Sequence, residues 1–199
     1  MGESQQSFHL TPGGALTGTL AVAGDKSISH RSIMLGALAE GTTTVEGFLP
    51  GEDTLATLAA FRQLGVTIEG PIDGRVVIHG VGLHGLKAAD APLYLGNSGT
   101  SMRLMCGLLA AQPFATVLTG DSSLSRRPMN RVAIPLRQMG AQIGTSAEGH
   151  PPVTIASTQR LHGIEYAMPV ASAQVKSALL LAGLYAQGET AVIEPAPTR

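Results

Sequence analysis

The stretch Gly36-Ala37-Leu38-Ala39-Glu40-Gly41 returns twice along the chain, as Gly107-Leu108-Leu109-Ala110-Ala111-Gln112 and as Gly183-Leu184-Tyr185-Ala186-Gln187-Gly188. The first glycines of the three copies lie 71 and 76 residues apart. Each copy closes a segment so rich in Leu, Met and Ala that an exposed helix is excluded. The pattern predicts three largely buried helices, over about 28–39, 100–111 and 173–186. Each helix is followed by a predicted short β-strand, over 42–45, 116–118 and 190–193.

A second motif repeats with a similar period. Arg62-Gln63-Leu64-Gly65-Val66-Thr67-Ile68 returns 75 residues later as Arg137-Gln138-Met139-Gly140-Ala141-Gln142-Ile143. Each copy is typical of an amphipathic helix that ends at a glycine and leads into a strand. We expect Asp53 to cap the first of these helices and Pro128 to lie in the first turn of the second. The sequence therefore predicts an α/β fold built from units of about 75 residues around shared buried helices.

The third copy of this unit is expected to be incomplete. By the repeat distance, its amphipathic helix would lie near position 213, whereas the chain ends at Arg199. A unit without that helix would leave an apolar face uncovered, and such a face favours association. The repeat thus predicts a fragment, or one chain of a split protein.

Composition excludes several classes of protein. The 199 residues are 44% hydrophobic and only 14% charged, with a net charge of −1, which argues against disorder and against a nonspecific nucleic-acid binder. The single cysteine, Cys106, excludes an intrachain disulfide and a cysteine-based zinc site, and its apolar neighbours predict a small buried side chain. No apolar run reaches the roughly 18 residues of a membrane span. We expect a soluble, cytoplasmic protein.

A small polar loop precedes each predicted buried helix, at 24–31, 96–103 and 171–176. Helix N-termini attract anions, so three such ends around one axis would converge on a polyanionic ligand. Each loop alone could be only a helix cap, but its recurrence at equivalent positions favours a binding site. Residues 24–27 are not a P-loop, because Asp25 stands where the motif needs glycine before the lysine. His79 and His84 are expected at the surface, and no metal site is assigned.

Four segments of the chain resemble the 5-enolpyruvylshikimate-3-phosphate (EPSP) synthase family. They are Gly24-Asp25-Lys26-Ser27-Ile28-Ser29-His30-Arg31, Leu95-Gly96-Asn97-Ser98-Gly99-Thr100-Ser101-Met102-Arg103, Arg127-Pro128-Met129 and Ser172-Ala173-Gln174-Val175-Lys176-Ser177-Ala178. The resemblance covers the first half of such an enzyme. It implies an enolpyruvyl transferase-like domain of repeated βαβαββ units with buried parallel helices, the third unit truncated. Residues 1–20 would then belong to a second, absent domain, and 21–199 would form an incomplete substrate-binding domain.

The resemblance also implies an activity. The enolpyruvyl group of phosphoenolpyruvate would pass to the 5-hydroxyl of shikimate 3-phosphate, with release of phosphate and without a metal or organic cofactor. Lys26 and Arg127 would be the catalytic residues of this chain, and Asn97 would shape its loop. Shikimate 3-phosphate would be held by Lys26, Ser27, Arg31, Ser172, Ala173, Gln174 and Arg199. Phosphoenolpyruvate would be held by Lys26, Gly99, Arg127 and Gln174.

Three positions depart from the commoner pattern of that family. Leu104 follows Arg103 where proline is usual, Ser101 replaces an alanine or glycine, and Ala173 lies in the third loop. These residues resemble the glyphosate-tolerant (class II) branch, whereas Gly99 retains the space that the inhibitor uses. We expect intermediate tolerance.

Two other interpretations stay open. A UDP-N-acetylglucosamine enolpyruvyl transferase would share the fold and the donor, but that family carries a reactive cysteine in a Gly/Arg-rich loop, whereas Cys106 lies in an apolar stretch. A non-catalytic anion-binding or assembly module would need only the convergent helix ends. Because the main acid–base carboxylates of the EPSP synthase family belong to its second half, this chain alone is expected to be inactive, with that half as its partner.

Overall fold

The computed structural model describes residues 7–9, 11–15, 17–157 and 160–198. The first unit comprises α1 (Lys26–Leu38), β1 (Glu40–Val45), α2 (Glu52–Gln63), β2 (Thr67–Ile72) and β3 (Arg75–Val81). The second comprises β4 (Leu93–Tyr94), α3 (Gly99–Leu109), β5 (Thr116–Thr119), α4 (Asn130–Gln138), β6 (Ile143–Gly144) and β7 (Val153–Ile155). The third comprises β8 (Leu161–His162), β9 (Glu165–Ala167), α5 (Ala173–Gly183), β10 (Ala186–Gln187) and β11 (Ala191–Ile193).

The strands of each unit lie beside the helices of the same unit. The first sheet has the order β1-β3-β2 and is antiparallel, with Glu40 opposite Val81 and Val45 opposite Val76. The second sheet has the order β4-β5-β7-β6 and pairs β4 with β5 in parallel. In the third unit β10 pairs with β8 and β11 with β9, both in parallel. The mixed α/β fold and its repeated units are therefore confirmed, although 17–25 forms no strand before α1.

The glycines of the second repeat end helices as predicted. Gly65 and Gly140 follow the last residues of α2 and α4 with φ of +87° and +95°, a left-handed conformation that glycine adopts without a steric penalty. From there the chain enters β2 and β6. The second repeat thus marks the same helix-to-strand junction in both units.

Two predicted helix starts are wrong. The N-cap of α2 is Gly51, and Asp53 lies in the first turn with its carboxylate turned toward Lys26. Helix α4 begins at Asn130, two residues after Pro128, with Met129 as its N-cap. Because the amide of Met129 donates to the carbonyl of Gly149 at 2.8 Å, a tertiary contact holds the chain outside the helix up to that point.

Helix α3 lies at the centre of the core. Every apolar side chain of this helix is buried, and an added Cβ on Gly107 would overlap the backbone carbonyl of Ala178 in α5. The other two helices are less buried than predicted, since Leu35 of α1 is 52% exposed and Leu180 of α5 is 48% exposed. Helix α2 packs against both α1 and α3, and α4 packs against both α3 and α5.

The side of α1 and α5 that these helices leave open is an apolar groove. Its volume is about 260 Å³, and its lining includes Met34, Leu35, Leu104, Leu181 and Leu184. In the parts of the chain that the structure describes, no third amphipathic helix covers this groove. None of the described helices combines the length and the apolar character that crossing a membrane requires.

Candidate active site

The N-terminus of α1 places Lys26 beside α2. Helix α1 begins at Lys26 because the carboxylate of Asp25 caps it, accepting a hydrogen bond from the amide of Ile28 at 2.7 Å. The Nζ atom of Lys26 then lies 2.9 Å from Oδ2 of Asp53. The lysine side chain is 54% exposed, so this pair contributes little to stability and leaves the ammonium accessible.

Arg31 connects the second turns of α1 and α5. Its Nη2 donates to Oγ of Ser177 at 2.8 Å, and its Nη1 donates to the carbonyl of Ser27 at 3.2 Å. A cavity of about 490 Å³ opens between the two helices, lined in part by Ser27, Arg31, Ala173 and Lys176. The structure therefore brings together three residues that the sequence assigned to one ligand, and it adds Lys176.

Ser172 and Lys176 lie at the same end of α5. Ser172 caps the helix by accepting a hydrogen bond from the amide of Val175 at 3.3 Å. Lys176 donates to Oε2 of Glu194 at 2.6 Å and to the carbonyl of Thr198 at 3.2 Å. The bond from Lys176 is the main reason why the pKa of Glu194 lies below its usual range. Arg199, the next predicted site residue, lies outside the described residues.

A second cluster forms where the N-terminus of α3 meets Arg127. Nη2 of Arg127 donates to Oδ1 of Asn97. A Cβ added to Gly99 would lie 2.8 Å from Nη1 of Arg127 and 3.0 Å from Nη1 of Arg103. Glycine at this position thus lets two guanidinium groups approach the end of the helix. Asn97 holds Arg127 in place, consistent with its predicted part in shaping the loop.

Gln174 joins this cluster to α5. Its Oε1 accepts a hydrogen bond from Nη1 of Arg103 at 2.7 Å, and its Nε2 donates to Oγ1 of Thr100 at 3.0 Å. Arg103 also donates to the carbonyl of Pro128 at 3.2 Å. One guanidinium therefore contacts α3, α5 and the loop that carries Arg127.

Arg103 is, like Lys176, a residue of this site that the sequence did not single out. Burial, followed by the charges of Arg127 and Arg131, lowers the pKa of its guanidinium from the ordinary value. The available signal was its spacing, since Arg103 follows Gly99 by one helical turn and therefore lies on the same face of α3.

A buried hydrogen-bonded network lies one helical turn beyond Lys26 in α1 and flanks Gly99 in α3. Nδ1 of His30 is 2.8 Å from Oγ1 of Thr57, which is 2.5 Å from Oγ of Ser101. Oγ of Ser101 is also 3.3 Å from Nδ1 of His30 and 2.6 Å from Oγ of Ser98, the cap of α3. These side chains belong to α1, α2 and α3 and are fully or almost fully buried.

The first two turns of α1, α3 and α5 are thus linked in pairs by hydrogen bonds, and the link between α1 and α3 passes through Thr57 of α2. Arg31 bonds to Ser177, Gln174 bonds to Thr100, and Thr57 bonds to both His30 and Ser101. Three helix ends with free amides and several cations gather on this side of the fold. Such an arrangement binds anions with more than one negative group.

The buried position of His30 predicts a pH-dependent stability. Burial lowers the pKa of His30 from 6.5 to about 4, although the Asp53 carboxylate acts in the opposite direction. Between these values the unfolded chain binds more protons than the folded one, so stability is lost as the pH falls from 6.5 to 4. We expect the free energy of unfolding to drop by about 3 kcal/mol over this range because of His30. Urea unfolding at a series of pH values measures this drop in the free energy of unfolding.

The matched variant for this measurement is His30→Gln, which carries no titratable group at the same place. Its unfolding free energy should fall less between pH 7 and pH 4 than that of the unsubstituted chain. Parallel curves for the two proteins would show that His30 does not protonate on unfolding. A ring NMR signal of His30 that titrates near pH 6.5 would contradict the prediction directly.

Cys106 has no chemical role in this site. Its side chain is fully buried in α3, and burial raises the pKa of the thiol to about 12. A thiol in this state is not a nucleophile, unlike the reactive cysteine of the rival transferase family. His79 and His84 lie at the surface as predicted, the former paired with Glu69 at 2.7 Å. Across the described ranges, no group of three or more His, Cys, Asp or Glu side chains could hold a metal ion.

Comparison with known proteins agrees with this geometry. The model of the family described as EPSP synthase (3-phosphoshikimate 1-carboxyvinyltransferase) matches residues 10–199. The 3-phosphoshikimate 1-carboxyvinyltransferases of Nitrosococcus oceani and Alkalilimnicola ehrlichii are 67% and 68% identical to this chain over 99% and 96% of its length. A solved EPSP synthase from Acinetobacter baumannii is 66% identical and superposes with a TM-score of 0.89 over 92% of this chain.

The matched region is less than half of each of these relatives. This chain spans 44% of the N. oceani protein, 43% of the A. ehrlichii protein and 41% of the A. baumannii chain.

Proposed function

The chain belongs to the EPSP synthase family, and we propose that it forms part of an enzyme that transfers the enolpyruvyl group of phosphoenolpyruvate to the 5-hydroxyl of shikimate 3-phosphate. The observation that carries this proposal is the set of hydrogen bonds that links the first two turns of α1, α3 and α5, directly or through Thr57. The two substrates carry two phosphates and two carboxylates. A surface with free helix amides, lysine and arginine complements them.

The cavity between α1 and α5 is proposed to hold shikimate 3-phosphate. The amides at the N-termini of α1 and α5 and the guanidinium of Arg31 would face the phosphate of shikimate 3-phosphate. The hydroxyls of Ser27 and Ser172 would orient the ring of that ligand. The residues proposed for this role are Lys26, Ser27, Arg31, Ser172, Ala173 and Gln174, with Arg199 beyond the described part of the chain.

The cluster around Gly99 is proposed to hold phosphoenolpyruvate. Gly99 would give the donor access to the end of α3, and Arg127 would face its negative groups, with Lys26 and Gln174 between the two ligands. In the reaction, the 5-hydroxyl oxygen bonds to C2 of the donor and loses its proton, while C3 of the donor takes up a proton. The C2–O bond to phosphate then breaks and C3 loses a proton, which restores the double bond in the product. Lys26 and Arg127 would stabilise the charge on the departing phosphate.

A second half of the enzyme is the proposed partner. Two observations support it: the chain spans about 44% of its relatives' length, and the groove between α1 and α5 is apolar and open. Since α2 packs against α1 and α3, and α4 packs against α3 and α5, an amphipathic helix from the partner would cover the remaining pair, α1 and α5, in the same way. Within 1–20, the exposed apolar side chains of Phe8 and Leu20 support the proposal that this segment packs on a second domain. We place the enzyme in the cytoplasm.

Release of phosphate from phosphoenolpyruvate plus shikimate 3-phosphate tests the function. We expect negligible release by this chain alone and release when a separately expressed second half of a close relative is added. A mixture without shikimate 3-phosphate is the control. Activity of the chain alone would contradict the proposed division of the site.

The same experiment separates the alternatives. An associated, folded mixture that binds shikimate 3-phosphate without turnover would favour a non-catalytic anion-binding module. Turnover with UDP-N-acetylglucosamine instead of shikimate 3-phosphate would favour the rival transferase.

Glyphosate added to the active mixture tests the proposed class II resemblance, which rests on Leu104, Ser101 and Ala173. Intermediate tolerance is expected, and inhibition as tight as in proline-bearing relatives would overturn it.

A further inference from the structure

The buried network is aligned with the proposed site turn by turn. His30 follows Lys26 by one turn of α1, and Thr57 follows Asp53 by one turn of α2. The Lys26–Asp53 ion pair and the His30–Thr57 hydrogen bond, at 2.9 and 2.8 Å, therefore join the same two helices on successive turns. The exposed pair cannot fix the helices by itself, because solvent weakens it. The buried His30–Thr57 pair is shielded from water and can therefore fix α1 and α2 relative to each other.

The network also extends to the third helix. Oγ of Ser101 lies within hydrogen-bond distance of both Thr57 and His30. It also bonds to Ser98, whose hydroxyl accepts from the amide of Ser101 at 3.1 Å and so caps α3 immediately before Gly99. The position of Gly99 is therefore tied to that of Lys26 through fully buried side chains.

The hydrogen-bonding capacity of the four side chains defines one direction for this network. Nε2 of His30 is buried without a partner among the residues that the structure describes, so a proton on Nε2 would be an unpaired buried donor. The proton is better placed on Nδ1, which then donates to Thr57. Thr57 in turn donates to Ser101 at 2.5 Å rather than to the more distant carbonyl of Asp53 at 3.3 Å, and Ser101 donates to Ser98. Thr57 and Ser101 then each give one hydrogen bond and receive at least one, and Ser98 accepts from both the hydroxyl and the amide of Ser101.

We propose that His30, Thr57 and Ser101 are positioning residues that set Lys26 and Gly99 at the distance the two substrates require. This inference rests on the proposed function and extends it to residues that contact neither ligand. Ordinary core packing does not explain the arrangement, since polar side chains at these places must each find a partner to avoid a desolvation penalty. An apolar core of the same volume would hold the helices together without fixing their register.

Substitutions of Thr57 separate positioning from packing. Thr57→Val keeps the volume and removes the hydroxyl, whereas Thr57→Ser keeps the hydroxyl and removes a methyl group. We expect Thr57→Val to weaken binding of shikimate 3-phosphate to this chain about 10-fold in calorimetry, and Thr57→Ser to bind within about 2-fold of the unsubstituted chain. A packing role predicts the reverse order. Equal affinities, or weaker binding only by Thr57→Ser, would overturn the proposal.

Thr116→Val is the matched control. Thr116 is buried in β5, and its hydroxyl has no partner among the described protein atoms. Removing that hydroxyl should leave the affinity unchanged. If Thr116→Val weakened binding as much as Thr57→Val, loss of any buried hydroxyl would explain the effect and the network would have no special role.

A second readout needs no ligand and so distinguishes this inference from the proposed function. Amide hydrogen exchange at 99–101 should accelerate about 10-fold in Thr57→Val, relative to the core of α3, and not in Thr57→Ser. Exchange that accelerates uniformly over the chain would indicate a loss of global stability and overturn the positioning role. If the unsubstituted chain bound no shikimate 3-phosphate, the proposed function would be in doubt while this exchange pattern would still test the network.

Discussion

Replacing Arg127 by alanine is expected to lower kcat/KM of the reconstituted enzyme by about 10²–10³-fold, the usual cost of removing one group that stabilises developing negative charge. The side chain of Arg127 reaches the N-terminus of α3, where its guanidinium bonds to Asn97 and lies beside Gly99. Its loss would remove a positive charge from the place proposed for phosphoenolpyruvate. The measurement is the rate of phosphate release by the variant chain mixed with the second half.

Arg126→Ala is the matched control for this experiment. Arg126 directly precedes Arg127 and is exposed, so its loss changes the net charge by the same amount at almost the same place. We expect its kcat/KM to stay within about 2-fold, because exposed charges at this distance are screened by solvent. Equal losses in the two variants would show that only the overall charge matters. Arg127→Lys should be intermediate, since lysine keeps the charge and loses the two-pronged geometry.

The helices were predictable from the sequence because their signal is local. The dense apolar segments that contain Gly36, Gly107 and Gly183 predicted all three helices, and the predicted helix ends lie within a few residues of those observed. The glycines that follow α2 and α4, Gly65 and Gly140, were equally predictable, since a left-handed residue after a helix is usually glycine. Burial was less predictable. Helix α3 is covered on all sides, whereas α1 and α5 each keep an open side that the composition of the segment does not distinguish.

The parts of the site that escaped prediction depend on contacts between distant residues. Asp53 looked like a cap because caps are local, yet its carboxylate contacts a lysine 27 residues away. Arg103 lies in one of the four segments that resemble the family, but its partner Gln174 is 71 residues further along the chain. Thr57 carries no sequence signal for a polar network, since its partners His30 and Ser101 lie 27 and 44 residues away along the chain. Only the assembled fold shows which of these groups meet.

The repeat-equivalent glycines predict a graded series of stabilities. Gly36, Gly107 and Gly183 begin the three copies of one motif, and alanine is favoured over glycine inside a helix by about 1 kcal/mol. The space around each glycine differs. A Cβ on Gly107 would overlap the carbonyl of Ala178, which is backbone and cannot turn away. A Cβ on Gly36 would lie 2.9 Å from Cδ1 of Ile78, and one on Gly183 would lie 3.1 Å from Thr190, both side chains.

We therefore expect Gly107→Ala to lower the free energy of unfolding by about 3 kcal/mol or more, since α3 and α5 would have to separate. Gly36→Ala should lose about 1 kcal/mol, and Gly183→Ala should lie within about 0.5 kcal/mol of the unsubstituted chain, because the gain in helix propensity offsets a small shift of Thr190. Urea unfolding measures the series, with a constant m-value showing that all four proteins unfold alike. Gly183→Ala is the internal control for Gly107→Ala, since both make the same chemical change in the same motif. If the two variants were equally stable, α3 and α5 could not lie in backbone contact at Gly107, and the packing that brings Thr100 to Gln174 at the other end of these helices would have to be revised.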